Sequence, residues 1–466
     1  MQFYRPDGAY VGDCIPFYWQ GKYHLFYLVT IHDFLPGGQL SWAHAVSEDL
    51  KHWEEMPVAI PLGKGDEPDS ACCGTGCVVH HNGVFHIFYL GLWIRDNNVD
   101  DQRQTICHAT STDLVYWEKD ANNPILVPDR DKYSVDWRDP HIIWDAEKEE
   151  FLMLITSKYA KGPVGHEGCI AVMVSKDLEK WEPGKPLFAP FQYNCMECPD
   201  LFYMNGWWYL VFSVFPPTFK TIYRRSRSLK GPWISDREFA IDDCNFYAGK
   251  TAGDGKRRFM FGWVFYKSEN KDNGVLQWGG NLSVRELVQN ENGSLSVKLP
   301  EERIERGLMV DVSDYSILTG KWSMKDGKAE NEWTEGFSCM TVNNIKPDSQ
   351  IVLKFTPSKN THTVGAFLRT ERDLSAGYCL RLELKTGRAV LASVDGGQLY
   401  NILSQPIPEI KGEIDCVITM EDSILEAFIG GQVCLTGRFF EHKGTTLGLF
   451  VEEGGCIFEN LSIASL

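Results

Sequence analysis

The sequence predicts an all-β protein, a five-bladed β-propeller followed by a C-terminal β-sandwich. Three observations support this prediction: a repeat in the first 300 residues, hairpin turns ahead of the repeat copies, and a change of pattern after residue 300. We assign residues 1–298 to the propeller, 299–308 to a linker and 309–466 to the sandwich. A chain of 466 residues is too long for one ordinary hydrophobic core, so two domains are expected.

The repeat has the form Ser-x-Asp-Leu-x-x-Trp. It begins at Ser47, at Ser111 and at Ser175, so successive copies are 64 residues apart. A looser copy begins at Ser226 and has one extra residue before its Trp. A fixed period of this length is typical of repeat architectures, in which each unit is one supersecondary structure. The repeat therefore indicates blades of similar size, and the Trp residues of its copies are expected in the core.

Each copy follows a run of aromatic and branched residues that begins at a tight turn. Asn-Gly or Gly-Lys occurs at several of these turns, including those at Gly21, Gly83 and Gly206. Such runs predict antiparallel hairpins, and the first 290 residues contain no convincing amphipathic helix. A fifth run begins at Gly255 and continues the series without a clear repeat copy. Five hairpin units without helical crossovers favour a five-bladed propeller over a sandwich here.

From about Met309 the pattern becomes a plain alternation of apolar and polar residues, as in residues 350–355 and 378–384. Half-buried antiparallel strands produce such alternation, and a β-sandwich of about 150 residues accommodates it. The only plausible short helix begins near Leu299, and we expect it to form the hinge between the domains.

Composition and charge exclude several functions. Lys and Arg number 46 and Asp and Glu number 63, giving a formal charge of −17 that repels phosphate backbones and anionic lipid. We therefore expect neither nucleic acid nor membrane as a partner. No apolar run approaches the roughly 18 residues of a membrane span, and the N-terminus lacks a signal-peptide pattern. The 14 scattered cysteines predict free thiols in a reducing compartment, so a cytoplasmic location is expected.

Acidic residues recur at one depth of the predicted propeller. The first strand of each blade lines the central channel, so counting back eight or nine residues from each turn samples equivalent positions. These positions are Asp13, Thr75, Asp139, Glu197 and Tyr247. Three carboxylates that converge on one funnel repel one another, which raises the pKa of at least one of them. One carboxyl group can then be protonated while another is ionised. Glycosidic bond cleavage uses a pair of this kind, an acid together with an ionised base or nucleophile. The alternative is that these acids cap turns or bind a structural cation.

Further side chains are expected around the funnel. Arg138 is predicted to hold its neighbour Asp139 ionised by direct pairing. Trp42 and Trp278 lie outside the register of the repeat and are candidates for stacking on a sugar, because aromatic faces suit the apolar faces of sugars. The Cys-x-x-Cys pair that ends at Cys198 could suggest zinc, but there is no second such pair. We therefore predict no metal and no cofactor.

The motifs around these residues resemble glycoside hydrolase family 32, the β-fructofuranosidases, over nearly the whole chain. The segment Trp137-Arg-Asp-Pro140 matches the family's Arg-Asp-Pro motif, and Glu197-Cys-Pro-Asp200 matches its Glu-Cys-Pro-Asp motif. The resemblance implies that Asp139 stabilises the transition state and that Glu197 is the general acid/base. Asp13 occupies the place of the family's nucleophile. The family fold, a five-bladed propeller followed by a β-sandwich, agrees with the repeat.

The first motif departs from the family pattern. Gly12 stands where the family has Asn, and Cys14-Ile-Pro16 replaces Pro-Asn-Gly. The family's Trp is Tyr10 in this chain, its Gln after Phe-Tyr is Leu28, and its acid before Phe-Tyr-Ala is Asn245. We expect these positions to touch the fructosyl unit or the wall beside it.

Together these features predict a retaining glycosidase that releases terminal β-linked fructose from sucrose, fructo-oligosaccharide, inulin or levan. Asp13 would attack the anomeric carbon, which requires its carboxyl group to lie about 5–5.5 Å from that of Glu197. A separation near 8 Å would instead favour an inverting furanosidase or xylosidase-like enzyme. The altered first motif encourages a third hypothesis, a non-catalytic carbohydrate-binding protein. The residues predicted to bind the substrate are Arg138, Trp42, Thr75, Asn245, Tyr247, Trp278 and Cys198.

Overall fold

The structure, a computed structural model, describes residues 1–31, 40–94, 102–215, 219–236, 239–306, 311–407 and 412–466. It is a five-bladed β-propeller followed by a β-sandwich, which confirms the predicted fold class. None of the described residues forms an α-helix, and among them no helix is long and apolar enough to cross a membrane. The end of the predicted linker and the predicted start of the sandwich at Met309 lie outside the described residues, so the domain boundaries stay predictions.

The blades are antiparallel sheets that follow one another along the chain. Blade 1 consists of β1 (Ala9–Trp19), β2 (Lys22–Ile31), β3 (Ser41–Ser47) and β4 (Glu54–Ile60). Blade 2 consists of β5 (Cys72–His81), β6 (Val84–Ile94), β7 (Gln102–Ser111) and β8 (Glu118–Lys119). Blade 3 consists of β9 (Tyr133–Asp145), β10 (Glu150–Tyr159), β11 (Gly168–Ser175) and β12 (Glu182–Pro183).

The last two blades complete the ring. Blade 4 consists of β13 (Cys195–Met204), β14 (Trp207–Phe215) and β15 (Lys220–Ser226). Blade 5 consists of β16 (Phe246–Gly253), β17 (Arg258–Lys267), β18 (Leu276–Gln289) and β19 (Leu295–Lys298). Strand β1 also pairs with β18 through Val11 and Gly280, so the first and last blades are joined by a backbone contact.

The described part of the sandwich contains twelve strands. They are β20 (Tyr315–Thr319), β21 (Trp322–Lys325), β22 (Lys328–Val342), β23 (Ser349–Pro357), β24 (Thr363–Thr370), β25 (Ala376–Glu383), β26 (Arg388–Asp395), β27 (Gln398–Pro406), β28 (Ile414–Glu421), β29 (Ile424–Ile429), β30 (Val433–Arg438) and β31 (Thr446–Ser465). Strand β31 pairs with β22, β23 and β24 along its length, so hydrogen bonding continues through both layers. The inner faces share one apolar core that includes Leu380 and Ile418.

A recurring turn explains the Ser-x-Asp-Leu repeat. The hydroxyl of Ser47 accepts hydrogen bonds from the backbone N–H groups of Asp49 (3.2 Å) and Leu50 (2.9 Å). Ser111 and Ser175 accept the same pair of bonds in blades 2 and 3. A short polar side chain that satisfies two backbone donors stabilises a turn locally. The repeat is therefore a structural signature of the blades.

The Trp at the end of a repeat copy packs between neighbouring blades. The ring of Trp117 in blade 2 meets Phe26 of blade 1 edge-on, with 5.8 Å between ring centroids. Trp181 of blade 3 meets Phe88 of blade 2 in the same way at 5.7 Å. Both Trp side chains are half-buried and pack against the apolar core of the propeller. The predicted core role is thus a contact between blades.

Each first strand carries a β-bulge at a similar depth. The register shifts enclose Asp13 in β1, Thr75 in β5, Asp139 in β9, Cys198 in β13 and Ala248 in β16. Three of these residues have left-handed backbone, with φ of 53° at Asp139, 51° at Cys198 and 52° at Ala248. A bulge interrupts the alternation of a strand and re-aims the side chains beside it. These five bulges therefore determine which side chains face the axial channel.

A buried group of four charged residues joins the propeller to the sandwich. We call Arg285 in β18, Asp242 before β16, Glu426 in β29 and Arg303 the interface cluster. Arg285 Nη2 lies 2.6 Å from Asp242 Oδ2 and 3.5 Å from Glu426 Oε1, and Arg303 Nη2 lies 3.5 Å from Glu426 Oε2. Arg303 ends the short 3-10 helix Glu301–Arg303. The segment that we expected to be a hinge is therefore anchored in the interface.

Candidate active site

Three carboxylates line one cavity of about 400 Å³. Asp13 comes from β1, Asp139 from β9 and Glu197 from β13, so three different blades supply them. Thr75 from β5 and Tyr247 from β16 line the same cavity. The structure thus brings together all five positions that the blade register had placed at one depth.

Asp13 is held at both carboxylate oxygens. Its Oδ1 accepts a hydrogen bond from the indole N–H of Trp263 (3.1 Å), and its Oδ2 accepts a short one from the Thr75 hydroxyl. The Cys198 thiol lies 3.6 Å from the same Oδ2. Burial, followed by repulsion from Asp139, raises the pKa of Asp13 to about 6, while the bonds from Thr75 and Trp263 oppose the rise. Asp13 is therefore ionised and fixed in direction at neutral pH.

Glu197 faces the cavity between two donors. Its Oε1 accepts a hydrogen bond from Arg138 Nη2 at 2.9 Å, and its Oε2 accepts one from the Tyr247 hydroxyl at 2.5 Å. Burial and the Glu197 charge raise the pKa of Tyr247 well above its ordinary value, so the hydroxyl stays a donor. The Glu197 side chain is 22% exposed against 5% for Asp139. It is thus the more accessible of the two carboxyl groups for exchanging a proton with a bound molecule.

The predicted pairing of Arg138 with Asp139 is only a minor contact. Arg138 Nε lies 3.8 Å from Asp139 Oδ2, whereas the guanidinium binds Glu197 at 2.9 Å and Asp136 by a short ion pair. Asp139 instead accepts a hydrogen bond from the backbone N–H of Cys198 at 3.0 Å. Burial raises the pKa of Asp139 despite the opposing charge of Arg138. The expected Arg138–Asp139 pair is therefore present, and Arg138 favours the ionised form of Asp139, but the closer contacts of the guanidinium are Asp136 and Glu197, so it also ties blade 3 to blade 4.

Trp278 lines the cavity and packs directly on the strand that carries Asp13. A Cβ atom built on Gly12 would lie 2.0 Å from Cη2 of the Trp278 indole. The ring also lies beside Trp263, with 5.7 Å between centroids. No side chain fits at position 12 while Trp278 keeps this place, since carbon atoms cannot approach so closely. The unusual glycine beside Asp13 is therefore coupled to the indole.

Several residues predicted to touch the substrate lie outside the cavity wall, among them Cys198, which is 2% exposed. Trp42 is fully buried, and its indole N–H donates to the Gly74 carbonyl at 2.8 Å, so the prediction that it stacks on a sugar is wrong. Asn245 is 3% exposed and precedes β16, where its carbonyl accepts the Phe265 N–H at 3.2 Å. Tyr10 packs against Tyr266 instead of lining the cavity. For Trp42, the cause is burial against blade 2, which supplies the Gly74 carbonyl.

Most of the remaining wall is apolar, and of its large apolar side chains only Leu28 was predicted. Trp263 is the most important omission; it is the direct cross-strand partner of Tyr247, so the register of blade 5 could have revealed it. Within the described ranges, no group of three His, Cys, Asp or Glu residues is arranged to hold a metal ion. The other large apolar side chains of the wall are Leu28, Leu40, Leu90, Phe215, Phe219, Phe265 and Leu276.

Known proteins resemble this chain along nearly its whole length. The model of the glycosyl hydrolases family 32 N-terminal domain matches residues 10–299. The sucrose-6-phosphate hydrolase of Escherichia coli is 30% identical over 443 residues, which covers 87% of this chain and 88% of that protein. The levanbiose-producing levanase of Bacillus subtilis is 26% identical over 494 residues, covering 96% and 87%. The exo-inulinase of Aspergillus awamori has the same fold, with a TM-score of 0.75, 18% identity and coverage of 100% and 98%.

Proposed function

The chain belongs to glycosyl hydrolase family 32, and we propose that it is a retaining β-fructofuranosidase acting on terminal fructosyl linkages. Membership makes it a glycoside hydrolase. The observation that carries the proposal is the convergence of Asp13, Asp139 and Glu197 on one cavity of about 400 Å³. An enzyme of this class needs one carboxyl group that donates a proton and another that attacks or activates water.

The proposed reaction has two steps. In the first, the Asp13 carboxylate attacks the anomeric carbon of the fructosyl unit, and the bond to the leaving oxygen breaks as Glu197 transfers its proton to that oxygen. In the second, water attacks the same carbon, Glu197 takes the proton of the water, and the bond to Asp13 breaks. The two bonds to Asp13 from Trp263 and Thr75 support this role, because they orient the carboxylate before substrate arrives.

Asp139 is proposed to stabilise the positive charge that develops on the sugar ring. It is buried, carries no short ion pair and accepts a backbone hydrogen bond from Cys198. A buried carboxylate interacts strongly with a transient cation that develops beside it. Burial raises the pKa of Asp139, so the group becomes a better partner for hydroxyl groups and cations that reach it.

The charges of the wall favour an unphosphorylated fructoside. Arg138 is the one cationic side chain among the described residues of the wall, and it already contacts Asp136, Glu197 and Asp139. A phosphate group would bring about two further negative charges next to three carboxylates. We therefore propose sucrose, fructo-oligosaccharide, inulin or levan as the substrate, even though one relative is named for a phosphorylated sugar.

The test is turnover of sucrose, inulin and levan by the wild type and by Glu197→Gln. We expect fructose release by the wild type and a loss of at least about a thousandfold in the variant. Methanol added to the wild-type reaction distinguishes the mechanisms, because only a retaining enzyme passes through a fructosyl-enzyme that yields methyl β-fructofuranoside. Folded wild-type protein that turns over none of these fructosides would overturn the proposal, and turnover without any methyl fructoside would support inversion.

For the compartment, we propose a reducing cytoplasm. All 14 cysteines are free thiols, and every one except the half-buried Cys244 is buried. Burial raises the pKa of several of them, so they are protonated and unreactive at neutral pH. Thiol titration of freshly purified protein should find 14 reactive groups after unfolding, and a smaller number paired with loss of activity on reduction would contradict this proposal.

A further inference from the structure

Lys250 lies in the axial channel behind the carboxylates, and we infer that it is a positioning residue for Glu197 and Asp139. The inference rests on the proposed function, because it concerns the same site. Lys250 is 2% exposed, and its Nζ donates to the carbonyl of Pro199 at 2.9 Å. Pro199 lies inside the β13 bulge that begins after Glu197, so the ammonium group holds that bulge directly.

Strand β16 contacts the Glu197–Asp200 segment at three points. The Tyr247 hydroxyl donates to Glu197, the Lys250 ammonium donates to Pro199, and the backbone N–H of Thr251 donates to Asp200 by a short bond. The bulge in β16 between Tyr247 and Lys250 breaks the usual alternation, so side chains on both sides of it reach the neighbouring blade. Of these three contacts, only that of Lys250 brings a positive charge.

The charge of Lys250 is not consumed by a close ion pair. Within the described ranges, no carboxylate oxygen lies within 4.0 Å of its Nζ. A buried ammonium group needs compensating negative charge, and Asp139 at the cavity is one carboxylate that its charge reaches. Burial raises the pKa of Asp139, while Arg138 and then Lys250 act in the opposite direction. The titratable and charged groups around Lys250 are Asp13, Asp139, Glu197, Asp200, Arg138, Arg258, His141, Cys77 and Cys198.

A second cavity places Lys250 at the far side of the site. This cavity of about 200 Å³ is lined by Lys250, His141 and Arg258 among apolar neighbours such as Ile15 and Cys77. His141 and Arg258 both lie near Asp200, with His141 Nε2 at 3.3 Å from its Oδ1. Burial lowers the pKa of His141 to about 4, so at neutral pH the positive charges of this cavity are those of Lys250 and Arg258, near the Asp200 carboxylate. Lys250 is thus a cation that binds the bulge after Glu197 from the side of this second cavity.

The chain offers a matched control for a purely structural lysine. Lys267 is 5% exposed, and its Nζ also donates to carbonyl oxygens, those of Asp272 (2.7 Å) and Arg438 (2.9 Å). It does not line the cavity that holds the carboxylates. If Lys250 acted only as a buried hydrogen-bond donor, the two lysines would behave alike on substitution.

The experiment compares Lys250→Gln, Lys250→Met and Lys267→Met with the wild type. The Gln variant can keep a donor for Pro199 without the charge, and the Met variant has neither. We measure kcat/KM for sucrose between pH 4.5 and 8, the thermal midpoint, and the titration of 13C-labelled aspartate carboxyl groups by NMR. Asp139→Asn and Asp13→Asn identify the signals of those two residues.

We expect both Lys250 variants to move the acid limb of kcat/KM and the Asp139 titration upward by about half to one pH unit, because a nearby cation is lost. Lys267→Met should lower the thermal midpoint and leave the acid limb of kcat/KM and the Asp139 titration unchanged. Unshifted titration in Lys250→Gln, or an equal shift in Lys267→Met, would overturn the inference. Wild-type protein without turnover would count against the proposed function alone, since the NMR titration still tests Lys250.

Discussion

The cavity of the propeller and its interface with the sandwich each bring together four charged side chains. At the cavity, the carboxylates of Asp13, Asp139 and Glu197 lie with one cation of the wall, Arg138, which contacts Asp139 and Glu197. In the interface cluster, two arginines face two carboxylates, and all four side chains are at most 1% exposed. The first group has an excess of negative charge and opens to a cavity, while the second is balanced and closed.

The difference shows how buried charge can be assigned to function or to structure. Like charges in one place destabilise a fold, so a protein retains them where chemistry uses them. A balanced cluster costs less, and it is strongly destabilising only when one partner is removed. Charge balance and access to solvent, taken together, separate the two groups more clearly than burial alone.

The largest effect is expected from breaking the balance of the interface cluster. Arg285→Met leaves Asp242 and Glu426 with one fewer partner, so the free energy of unfolding should fall by about 3–5 kcal/mol. Urea denaturation measures this loss, and kcat/KM for sucrose at 20 °C should stay close to the wild-type value. The exposed Arg130→Met is the control and should change neither quantity. A variant that loses activity without losing stability would contradict the structural assignment.

The pH dependence of the stability of the propeller should be distinguishable from the titration of the carboxylates in the cavity. In blade 1, His24 Nδ1 lies 3.1 Å from His44 Nε2, and burial lowers the pKa of His24 to about 4 and of His44 to about 3. Because the unfolded chain binds these protons near pH 6.5, stability is present above that pH and is lost as pH falls toward 4. We expect each of the two histidines to contribute a loss of about 2–3 kcal/mol between pH 7.5 and 4.5.

Chemical denaturation as a function of pH checks this expectation. His44→Phe should make stability less dependent on pH, because a phenyl ring can keep the stacking on Phe26 without a titratable nitrogen. The exposed His52→Phe is the matched control. A wild type whose stability stays constant down to pH 4.5 would show that the buried histidines do not govern acid unfolding.

The shape of the cavity should matter for activity as much as its charge does. Gly12→Ala places a methyl group where the Trp278 indole lies, so the ring must leave the wall beside Asp13. We expect kcat/KM to fall by about 10- to 100-fold, with a smaller change in the thermal midpoint. Gly336→Ala in β22 is the control, because a Cβ there meets no atom within 4 Å. Full activity of Gly12→Ala would mean that Trp278 takes no part in binding.

The smallest effect concerns two aspartates with similar pKa values. Burial raises the pKa of both Asp13 and Asp242 to about 6, but only Asp13 faces the cavity. Since Asp13 must be ionised to act as the proposed nucleophile, kcat/KM should fall about tenfold per pH unit below pH 6 and recover on neutralisation. Asp242→Asn should leave this acid limb in place. A shift of the acid limb of kcat/KM in Asp242→Asn would show that the group responsible for it lies outside the cavity.

The sequence predicted the features that depend on local pattern and on register. The serine turns repeat because each turn is made by neighbouring residues, so spacing alone revealed the blades. Asp13, Asp139 and Glu197 could be grouped because the bulges occur at the same depth in every blade. Such features need no knowledge of how one blade packs against the next.

Contacts between blades were harder to predict. Trp42 and Trp278 both lie outside the repeat register, but they differ in the structure. Trp42 is buried and donates to the Gly74 carbonyl of blade 2. Trp278 lines the wall because Gly12 of blade 1 has no side chain that would occupy the place of its ring. Arg138 was assigned to its sequence neighbour, whereas Glu197 from the next blade binds it more closely. The partner of a side chain depends on three-dimensional competition that sequence spacing does not record.

The most direct test compares two matched substitutions, Glu197→Gln in the cavity and Glu426→Gln in the interface cluster. Fructose release from sucrose and the thermal midpoint are measured for both variants and the wild type. We predict that Glu197→Gln loses at least about a thousandfold in kcat and keeps its thermal midpoint, while Glu426→Gln keeps its activity at 20 °C and melts at a lower temperature. The reverse pattern, or an active Glu197→Gln, would contradict the assignment of the cavity as the catalytic site.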